Sequence, residues 1–244
     1  MNAKTHVVIQ ARMGSTRLPG KVLLPFVGSY TFLEWIVERC RVSAQVQDVI
    51  VATTDNPKDD AIETLCTQKQ YLYFRGSEDD VLARYHGAIQ KFGSKVVVRV
   101  TSDNPLTDIA EMDRMVDTLK SDGLDFVDNR SPRLPIGTWS EAFTTEAFER
   151  MVVQTKDPYD HEHVTPYFYQ NHWLFTQRYV LPLRTHPFTP NVRLTLDTPK
   201  DLEFFTQFAQ GLGLADPAQQ PSTNEILDYL QTHPKLAAIN TAAE

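Results

Sequence analysis

Short runs of hydrophobic, mostly β-branched residues alternate in the first half of the chain with longer segments whose hydrophobic residues recur every three or four positions. The short runs predict strands at His6–Ile9, Val49–Thr53, Leu72–Phe74, Val96–Val100 and Phe126–Val127. The longer segments predict helices at Thr31–Val42, Lys58–Gln68, Asp79–Phe92 and Ile109–Ser121. Strands that alternate with helices in this way favour right-handed βαβ units, so we predict an α/β fold with a mostly parallel central sheet.

Residues typical of helix ends support these boundaries. Asn56-Pro57 is expected to start the second helix, because Asn is a good N-cap and Pro fits the first helical turn. Ser77 or Asp79 is expected to cap the third helix, and Gly93 to end it.

The alternation becomes less regular after Asn129. In this part the pattern predicts strands at Glu141–Thr144, Trp173–Tyr179 and Arg193–Leu196, and helices at Thr145–Val153, Thr198–Gln210 and Ser222–Thr232. We interpret residues 1–210 as one domain, with 130–195 as an excursion from the main sheet, and 211–244 as a C-terminal helical extension.

The segment Gln10–Lys21, QARMGSTRLPGK, follows the first predicted strand and is typical of a phosphate-binding loop. Its two glycines let the backbone approach a ligand closely, and its exposed N–H groups can bind an anion. Arg12, Arg17 and Lys21 add positive charge that exceeds what one monophosphate needs and suits a triphosphate.

The spacing in this loop is not that of two familiar nucleotide-binding motifs. A Walker A loop has a glycine five residues before its Gly-Lys pair and Ser or Thr after it, whereas here Ser15 and Val22 occupy those positions. The dinucleotide motif Gly-x-Gly-x-x-Gly is absent as well. The alternative interpretation is a surface loop with scattered charges.

Charge and composition narrow the function. The chain has 244 residues and a net charge of −7, which argues against general nucleic-acid binding. Its two cysteines, Cys40 and Cys66, lie far apart and are expected to be reduced core thiols. We find neither a signal-peptide pattern nor an apolar stretch long enough to cross a bilayer, and we therefore expect a cytoplasmic protein without a membrane partner.

Two carboxylates directly follow predicted strands. Asp103 comes after Val96–Val100, and Asp197 comes after Arg193–Leu196. Ligands of open α/β sheets bind at the carboxyl ends of the strands, so both aspartates are expected beside the Gln10–Lys21 loop, where they could hold Mg²⁺. The alternatives are a turn residue for Asp103 and a helix-capping charge for Asp197. Asp201 is better explained as an acid in the first turn of a helix.

These residues resemble the signature of the CMP-sugar synthetases, the cytidylyltransferases that activate acidic sugars. The sequence of Gln10–Lys21 resembles the SpsF-like branch more closely still; this branch is named for a spore-coat polysaccharide protein. The likeness covers roughly residues 5 to 210 and continues through Phe74–Leu82, Arg99–Leu106, Glu162–Tyr167 and Leu196–Leu202. It implies a Rossmann-like, three-layer nucleotidyltransferase fold of the GT-A-like type, with CTP as donor, a divalent metal and a homodimer.

The resemblance also implies roles for individual residues. Asp103 and Asp197 match the metal-carrying aspartates, and we assign catalysis to Arg12, Lys21 and Asp103. The predicted nucleotide contacts are Ala11, Arg12, Gly14, Ser15, Arg17, Lys21, Arg75 and Ser77. Arg75 and Ser77 match a family segment near the cytosine; the alternative is a strand-end turn in which Ser77 caps a helix.

The acceptor contacts are predicted in the less regular middle segment, at Arg133, Glu141, His163 and Arg193. Two arginines would suit a carboxylate or phosphate on the acceptor. In the matching family stretch, acids commonly stand where this chain has Ile136 and Trp139, which puts the usual acceptor in doubt. His161 and His163 could bind zinc, but no third ligand stands at metal spacing, and a polar acceptor contact or a buried histidine is the better interpretation.

The leading hypothesis is a Mg²⁺-dependent cytidylyltransferase that transfers CMP from CTP to an anionic sugar acceptor and releases pyrophosphate. One alternative keeps the fold but uses a sugar phosphate, a polyol phosphate or another base. Another alternative is a non-catalytic nucleotide-binding subunit of a polysaccharide assembly complex. Because the Asp103–Asp197 pair is intact, the enzyme is favoured over the last alternative.

Overall fold

The computed structural model describes residues 4–131, 134–182, 186, 192–219 and 221–241. A seven-stranded sheet forms its centre, with strands in the order β5-β4-β1-β6-β8-β7-β9. In chain order these strands are β1 (Thr5–Gln10), β4 (Asp48–Thr54), β5 (Leu72–Gly76), β6 (Val96–Thr101), β7 (Phe126–Asp128), β8 (Glu141–Thr144) and β9 (Gln177–Tyr179). A short antiparallel pair, β2 (Pro25–Val27) and β3 (Tyr30–Thr31), lies apart from this sheet.

The predicted mostly parallel α/β sheet is confirmed. β1 pairs in parallel with both β4 and β6, and β5 continues this parallel half. β8 runs antiparallel between β6 and β7, and β9 lies parallel to β7 at the edge. The carboxyl ends of β1, β4, β5 and β6 therefore meet at one edge of the sheet, where ligands of such folds bind.

Helices cover both faces of the sheet, and alternate residues of each central strand supply the two cores. Val7 and Ile9 of β1 pack on one side, and Val8 packs on the other. The first core receives α1 (Phe32–Arg41), α2 (Asp60–Lys69) and α4 (Ile109–Ser121). The second core receives α3 (Val81–Phe92), α5 (Thr145–Gln154) and residues of the segment that holds α6 (Pro158–His163) and α7 (Pro166–Gln170).

A third core joins the C-terminal helices to the rest of the domain. It contains α8 (Pro199–Leu212), α9 (Thr223–Thr232) and α10 (Pro234–Ala237), packed with Leu194 and Leu196. Thr198 with Asp201, and Ser222 with Glu225, form capping boxes that satisfy the first backbone N–H groups of α8 and α9. The helix predicted at Ser222–Thr232 is thereby confirmed, with Ser222 as its N-cap.

Three local predictions were wrong. Asp80, and neither Ser77 nor Asp79, caps α3, and its side chain accepts a hydrogen bond from the N–H of Ala83 at 2.8 Å. Only Gln177–Tyr179 of the predicted strand Trp173–Tyr179 is strand, because a 3-10 turn precedes it.

Arg193–Leu196 is not a strand, although its residues alternate as a strand's do. The N–H of Leu194 donates to the carbonyl of Ile136, and that of Leu196 donates to the carbonyl of Asp103, so the segment bonds to two loops. Gly137 permits this approach: its φ is +102°, and a Cβ there would lie 2.0 Å from the Leu194 carbonyl oxygen.

Both cysteines are free and buried, as expected, and burial raises the pKa of each thiol to about 12. Within the described part of the chain, no helix is both long and apolar enough to cross a membrane.

Candidate active site

The loop after β1 is held in one conformation by its own backbone and by the turn that leads into α2. The N–H groups of Ser15 and Gly20 both donate to the carbonyl of Met13, and the N–H of Met13 donates to Asp59 at 2.6 Å. Gly20 has a φ of +68°, which turns the chain so that Lys21 begins a short 3-10 turn. The loop is therefore a fixed rim at the ligand-binding edge of the sheet.

A cavity of about 500 Å³ opens beneath this rim. Of the residues selected from the sequence, those that line it are Ala11, Arg12, Gly14, Ser15, Arg17, Lys21, Asp103, His163 and Asp197. Residues from β1, β6, the β5–α3 loop, α6 and the segment before α8 complete its wall. The structure thus brings together residues that are far apart in the sequence.

At the centre of this wall, Lys21 lies between the two aspartates. Its ammonium nitrogen is 3.2 Å from Asp103 Oδ2, 3.0 Å from Asp197 Oδ1 and 2.7 Å from the carbonyl oxygen of Leu196. Only 12% of the Lys21 side chain is exposed. Two carboxylates and one carbonyl therefore converge on one cation at the edge of the cavity.

Arg193 and Asp201 fix the position of Asp197. Asp201 is fully buried, and its Oδ2 accepts hydrogen bonds from the backbone N–H groups of Asp197 and Thr198. Arg193 binds both oxygens of Asp201, at 2.8 and 2.9 Å, and does not line the cavity. Its guanidinium is thus engaged in holding the Asp197 turn, whereas the sequence prediction placed it on the acceptor.

Arg12 and Arg17 are much freer than Lys21. About half of the Arg12 side chain is exposed and its nearest acidic partner, Glu78, is 3.9 Å away. Arg17 is 60% exposed and contacts Asp197 at 3.2 Å. Both guanidinium groups can therefore reorient towards phosphate oxygens at small cost.

Glu141 lies outside the cavity, in a closed and buried cluster. Its carboxylate accepts hydrogen bonds from Arg99, Arg130, Thr165 and Tyr169. Burial alone would raise the pKa of Glu141, but Arg99 and the other donors outweigh burial and lower it. All of this carboxylate's bonding capacity is used within the protein.

Arg75 and Ser77 also do not reach the cavity. Arg75 faces α2, where it pairs with Asp60 and Glu63, and its guanidinium also donates to the backbone carbonyls of Thr54 and Asn56. The hydroxyl of Ser77 accepts a hydrogen bond from the N–H of Asp80. Arg133, the remaining acceptor residue selected from the sequence, lies outside the described residues.

His163 does line the cavity, and an unusual backbone conformation follows it. Val164, a buried β-branched residue, has a φ of +71°, which is costly for such a side chain. The chain turns here, so that His163 lies at the cavity while Thr165 reaches Glu141. His161 instead contacts Asp80 at 2.8 Å, and no group of three potential metal ligands occurs among the described His, Cys, Asp and Glu residues.

Sequence reasoning did not select several of the residues that line the cavity as site residues. They are Gln10, Thr16, Glu78, Asp79, Val81, Arg84, Thr101, Ser102 and Glu162. Most of them flank a motif residue that had been selected. Arg84 is different: it looks like an ordinary helix arginine, and only the packing of α3 on β5 reveals that it is buried beside the cavity.

Known proteins are similar to this chain over most of its length. The sequence profile of the cytidylyltransferase family matches residues 6–220. The spore coat polysaccharide biosynthesis protein SpsF of Bacillus subtilis is 34% identical over 238 residues, which cover 94% of this chain and 95% of SpsF.

Solved structures give the same result. A cytidylyltransferase from Leptospira borgpetersenii superposes with a TM-score of 0.88 at 31% identity, over 99% of this chain and 100% of that one. A CMP:2-keto-3-deoxy-manno-octonic acid synthetase complexed with CTP superposes with a TM-score of 0.63, over 86% of this chain and 100% of that one; at 18% identity it shows the fold alone. The chain therefore belongs to the cytidylyltransferase family, in the SpsF-like branch of the CMP-sugar synthetases, and is a CTP-dependent nucleotidyltransferase.

Proposed function

We propose that this protein transfers CMP from CTP to an acidic sugar and releases pyrophosphate, as a step in the synthesis of a surface polysaccharide. The convergence of Asp103 and Asp197 on Lys21, beneath the loop after β1, is the observation that carries the proposal. The similarity to SpsF, whose name places it in polysaccharide biosynthesis, supports the biological setting.

The loop cations supply the binding of the triphosphate. Arg12 and Arg17 can each offer two parallel N–H donors to phosphate oxygens, whereas Lys21 acts as a point charge. An acceptor oxygen forms a bond to the α-phosphorus while the bond from that phosphorus to the pyrophosphate oxygen breaks. Negative charge that accumulates on the leaving pyrophosphate is stabilised by these fixed cations, which lowers the barrier.

The oxygen atoms around Lys21 fit a hard divalent cation such as Mg²⁺. Asp103, Asp197 and the Leu196 carbonyl each place an oxygen within 3.2 Å of one nitrogen. Mg²⁺ usually takes one or two carboxylates together with substrate phosphates and water, so two aspartates suffice. When bound, the ion neutralises charge on the phosphate oxygens. Asp103 and Asp197 would hold it, and Arg193 with Asp201 keeps Asp197 in place.

A homodimer is also part of the proposal. Among the described residues, strand β9 lies at one edge of the sheet, and it carries or adjoins large exposed hydrophobic residues: Trp173, Leu174, Tyr179 and Leu181. An exposed apolar edge of this kind suits a second copy of the chain. Light scattering coupled to size-exclusion chromatography should give twice the monomer mass; a monomer at all concentrations would contradict this part.

The test of the reaction is pyrophosphate release with CTP, Mg²⁺ and a panel of acidic sugars, with mass spectrometry of the product. The proposal expects release with at least one sugar acid and a product that carries one phosphate. A product carrying a diphosphate, formed only from a sugar phosphate or polyol phosphate, would instead support the alternative acceptor class. Asp103→Asn serves as the control for contaminating activity.

A further inference from the structure

Part of the cavity wall comes from a segment other than those that carry Lys21 and the two aspartates. Glu78, Val81 and Arg84 line it, and all three come from the segment between β5 and the first turns of α3. In the sheet, β5 lies on one side of β1 and β6, which leads to Asp103, lies on the other. If the triphosphate binds near Asp103 and the loop after β1, the part of the cavity nearest β5 is available for the cytosine base.

Arg84 is a buried cation that lacks a carboxylate partner. It is 2% exposed, and its Nη1 donates to the backbone carbonyl of Ser77 at 2.6 Å. Its Nε has no hydrogen-bond partner, and it forms no ion pair with any described carboxylate. Burial lowers the pKa of this guanidinium, so it is held in an unfavourable setting. A ligand atom that accepts a hydrogen bond would relieve that cost.

Glu78 is a carboxylate with one engaged and one available oxygen. Its Oε2 accepts a hydrogen bond from the side-chain amide of Asn56 at 2.7 Å, which fixes the group. Its Oε1 faces the loop after β1, 3.9 Å from Arg12, and a Cβ at Gly14 would lie only 3.3 Å from it. The end of the cavity near β5 therefore offers an anchored acceptor near a buried donor.

We propose that Glu78 and Arg84 read the base of CTP: Glu78 accepts a hydrogen bond from the exocyclic amino group of cytosine, and Arg84 donates to its N3 or O2. The apolar side chain of Val81, which is nearly buried, contacts the ring. Uracil has a carbonyl in place of the amino group and carries a proton on N3. The uracil carbonyl, an acceptor, would therefore face the acceptor Glu78, and the N3–H donor would face the donor Arg84. Both protein groups would be left unpaired.

This assignment rests on the proposed function, because it explains a preference for CTP. It gives the base contacts to Glu78 and Arg84, whereas the sequence resemblance gave them to Arg75 and Ser77. All three guanidinium nitrogen atoms of Arg75 are engaged, by Asp60, Glu63 and two backbone carbonyls, and Arg75 does not line the cavity.

The test compares dissociation constants for CTP and UTP, measured calorimetrically with Mg²⁺ present and no acceptor. In Glu78→Gln the amide can keep its bond to Asn56 and turn an N–H towards a uracil carbonyl, so the UTP-to-CTP ratio of dissociation constants should fall about tenfold or more. Arg84→Met should also lower this ratio, mainly through weaker CTP binding. Arg75→Met, the matched control, should leave the ratio unchanged.

The possible results separate the two proposals. Equal weakening of CTP and UTP in Glu78→Gln and Arg84→Met would mean that these residues only support the fold, and would overturn the assignment. A lowered ratio in Arg75→Met alone would return the base contact to Arg75. If the wild-type protein binds CTP no more tightly than UTP, the proposed function fails together with this inference. A wild-type preference for CTP that both cavity variants retain contradicts this inference only.

Discussion

Two clusters in this protein combine carboxylates with cations, and the sequence suggested a functional role for both. In the first, Lys21 lies between Asp103 and Asp197 at the wall of the cavity, and the side chains are 12–26% exposed. In the second, Glu141 is buried among Arg99 and Arg130, and its side chain is 5% exposed. The first cluster opens to a space that a ligand can enter, and the second is closed by Thr165 and Tyr169.

The difference shows how a charged residue's surroundings distinguish chemistry from structure. Every donor around Glu141 comes from the protein, so the cluster is complete without a ligand. Such buried pairs strongly destabilise the fold when one partner is removed. The aspartates at Lys21 line the cavity instead, and the side chains of the neighbouring Arg12 and Arg17 are about half exposed or more. Substitutions in the two clusters should therefore affect different measurements.

The largest effect is expected from Asp103→Asn, which removes one charge from the open cluster. We expect pyrophosphate release to fall by a factor on the order of 10³, because charge stabilisation at the phosphates is lost. CTP binding should be partly retained, and the free energy of unfolding should change by less than about 1 kcal/mol. Turnover equal to that of the wild type would contradict the metal assignment.

Next in size is Glu141→Gln in the closed cluster. It leaves Arg99 buried without its counter-charge, and we expect the free energy of unfolding to fall by about 3 kcal/mol at neutral pH. Denaturant unfolding measures this change. The control is Glu63→Gln, which removes the partner of Arg75 in a more exposed ion pair and should lower the free energy of unfolding much less. An equal loss in both variants would remove the distinction between the clusters.

The pH dependence of stability sharpens the same point. The pKa of Glu141 in the folded state lies below its usual 4.5. The contribution of this ionised carboxylate to the free energy of unfolding is therefore fully present above pH 4.5, and it is lost as the pH falls through the folded-state pKa. The stability gap between wild type and Glu141→Gln should therefore narrow below pH 4.5. A gap that stays constant down to the acid transition of the wild type would contradict the lowered pKa.

A smaller effect on stability is expected from Lys21→Met. Without a divalent ion, the two aspartates then face each other with one fewer cation, and we expect a loss of about 1–2 kcal/mol. Mg²⁺ should restore most of it, since the same oxygens suit that ion. Thermal unfolding with Mg²⁺ and with a chelator measures this. If Mg²⁺ stabilises the variant no more than the wild type, the two cations do not share these ligands.

Much of the fold could be predicted from the sequence, because local pattern and burial agree along the central strands. Ile109–Ser121 was predicted to the residue, and its helix has a clear apolar face. Arg193–Leu196 was mistaken for a strand, since alternation alone does not distinguish pairing with a strand from pairing with two loops. The bounds of the short helices α6 and α7 could not be predicted, because these helices are too brief to show a helical period.

The site was predictable where its residues follow strands, and less so where packing decides. Lys21 and Asp103 could be placed together because parallel strands end at one edge. Asp197 reaches the same cavity from a segment that is not a strand, so its position was predicted on a wrong premise. Arg75 and Arg84 could not be distinguished, because each is a charged residue close to β5. Arg75 faces α2, whereas Arg84 is buried at the cavity. The position of Arg84 depends on the rotation of α3 about its axis.

The most direct test of the central claim is thermal unfolding of the wild type and of Asp103→Asn/Asp197→Asn, each with CTP and with or without Mg²⁺. A ligand that binds only the native state at a hundred times its dissociation constant stabilises that state by about 2.7 kcal/mol. The account predicts that CTP with Mg²⁺ raises the unfolding temperature of the wild type above either ligand alone, and that the double variant loses this synergy. Synergy that survives in the double variant, or its absence in the wild type, would contradict the account.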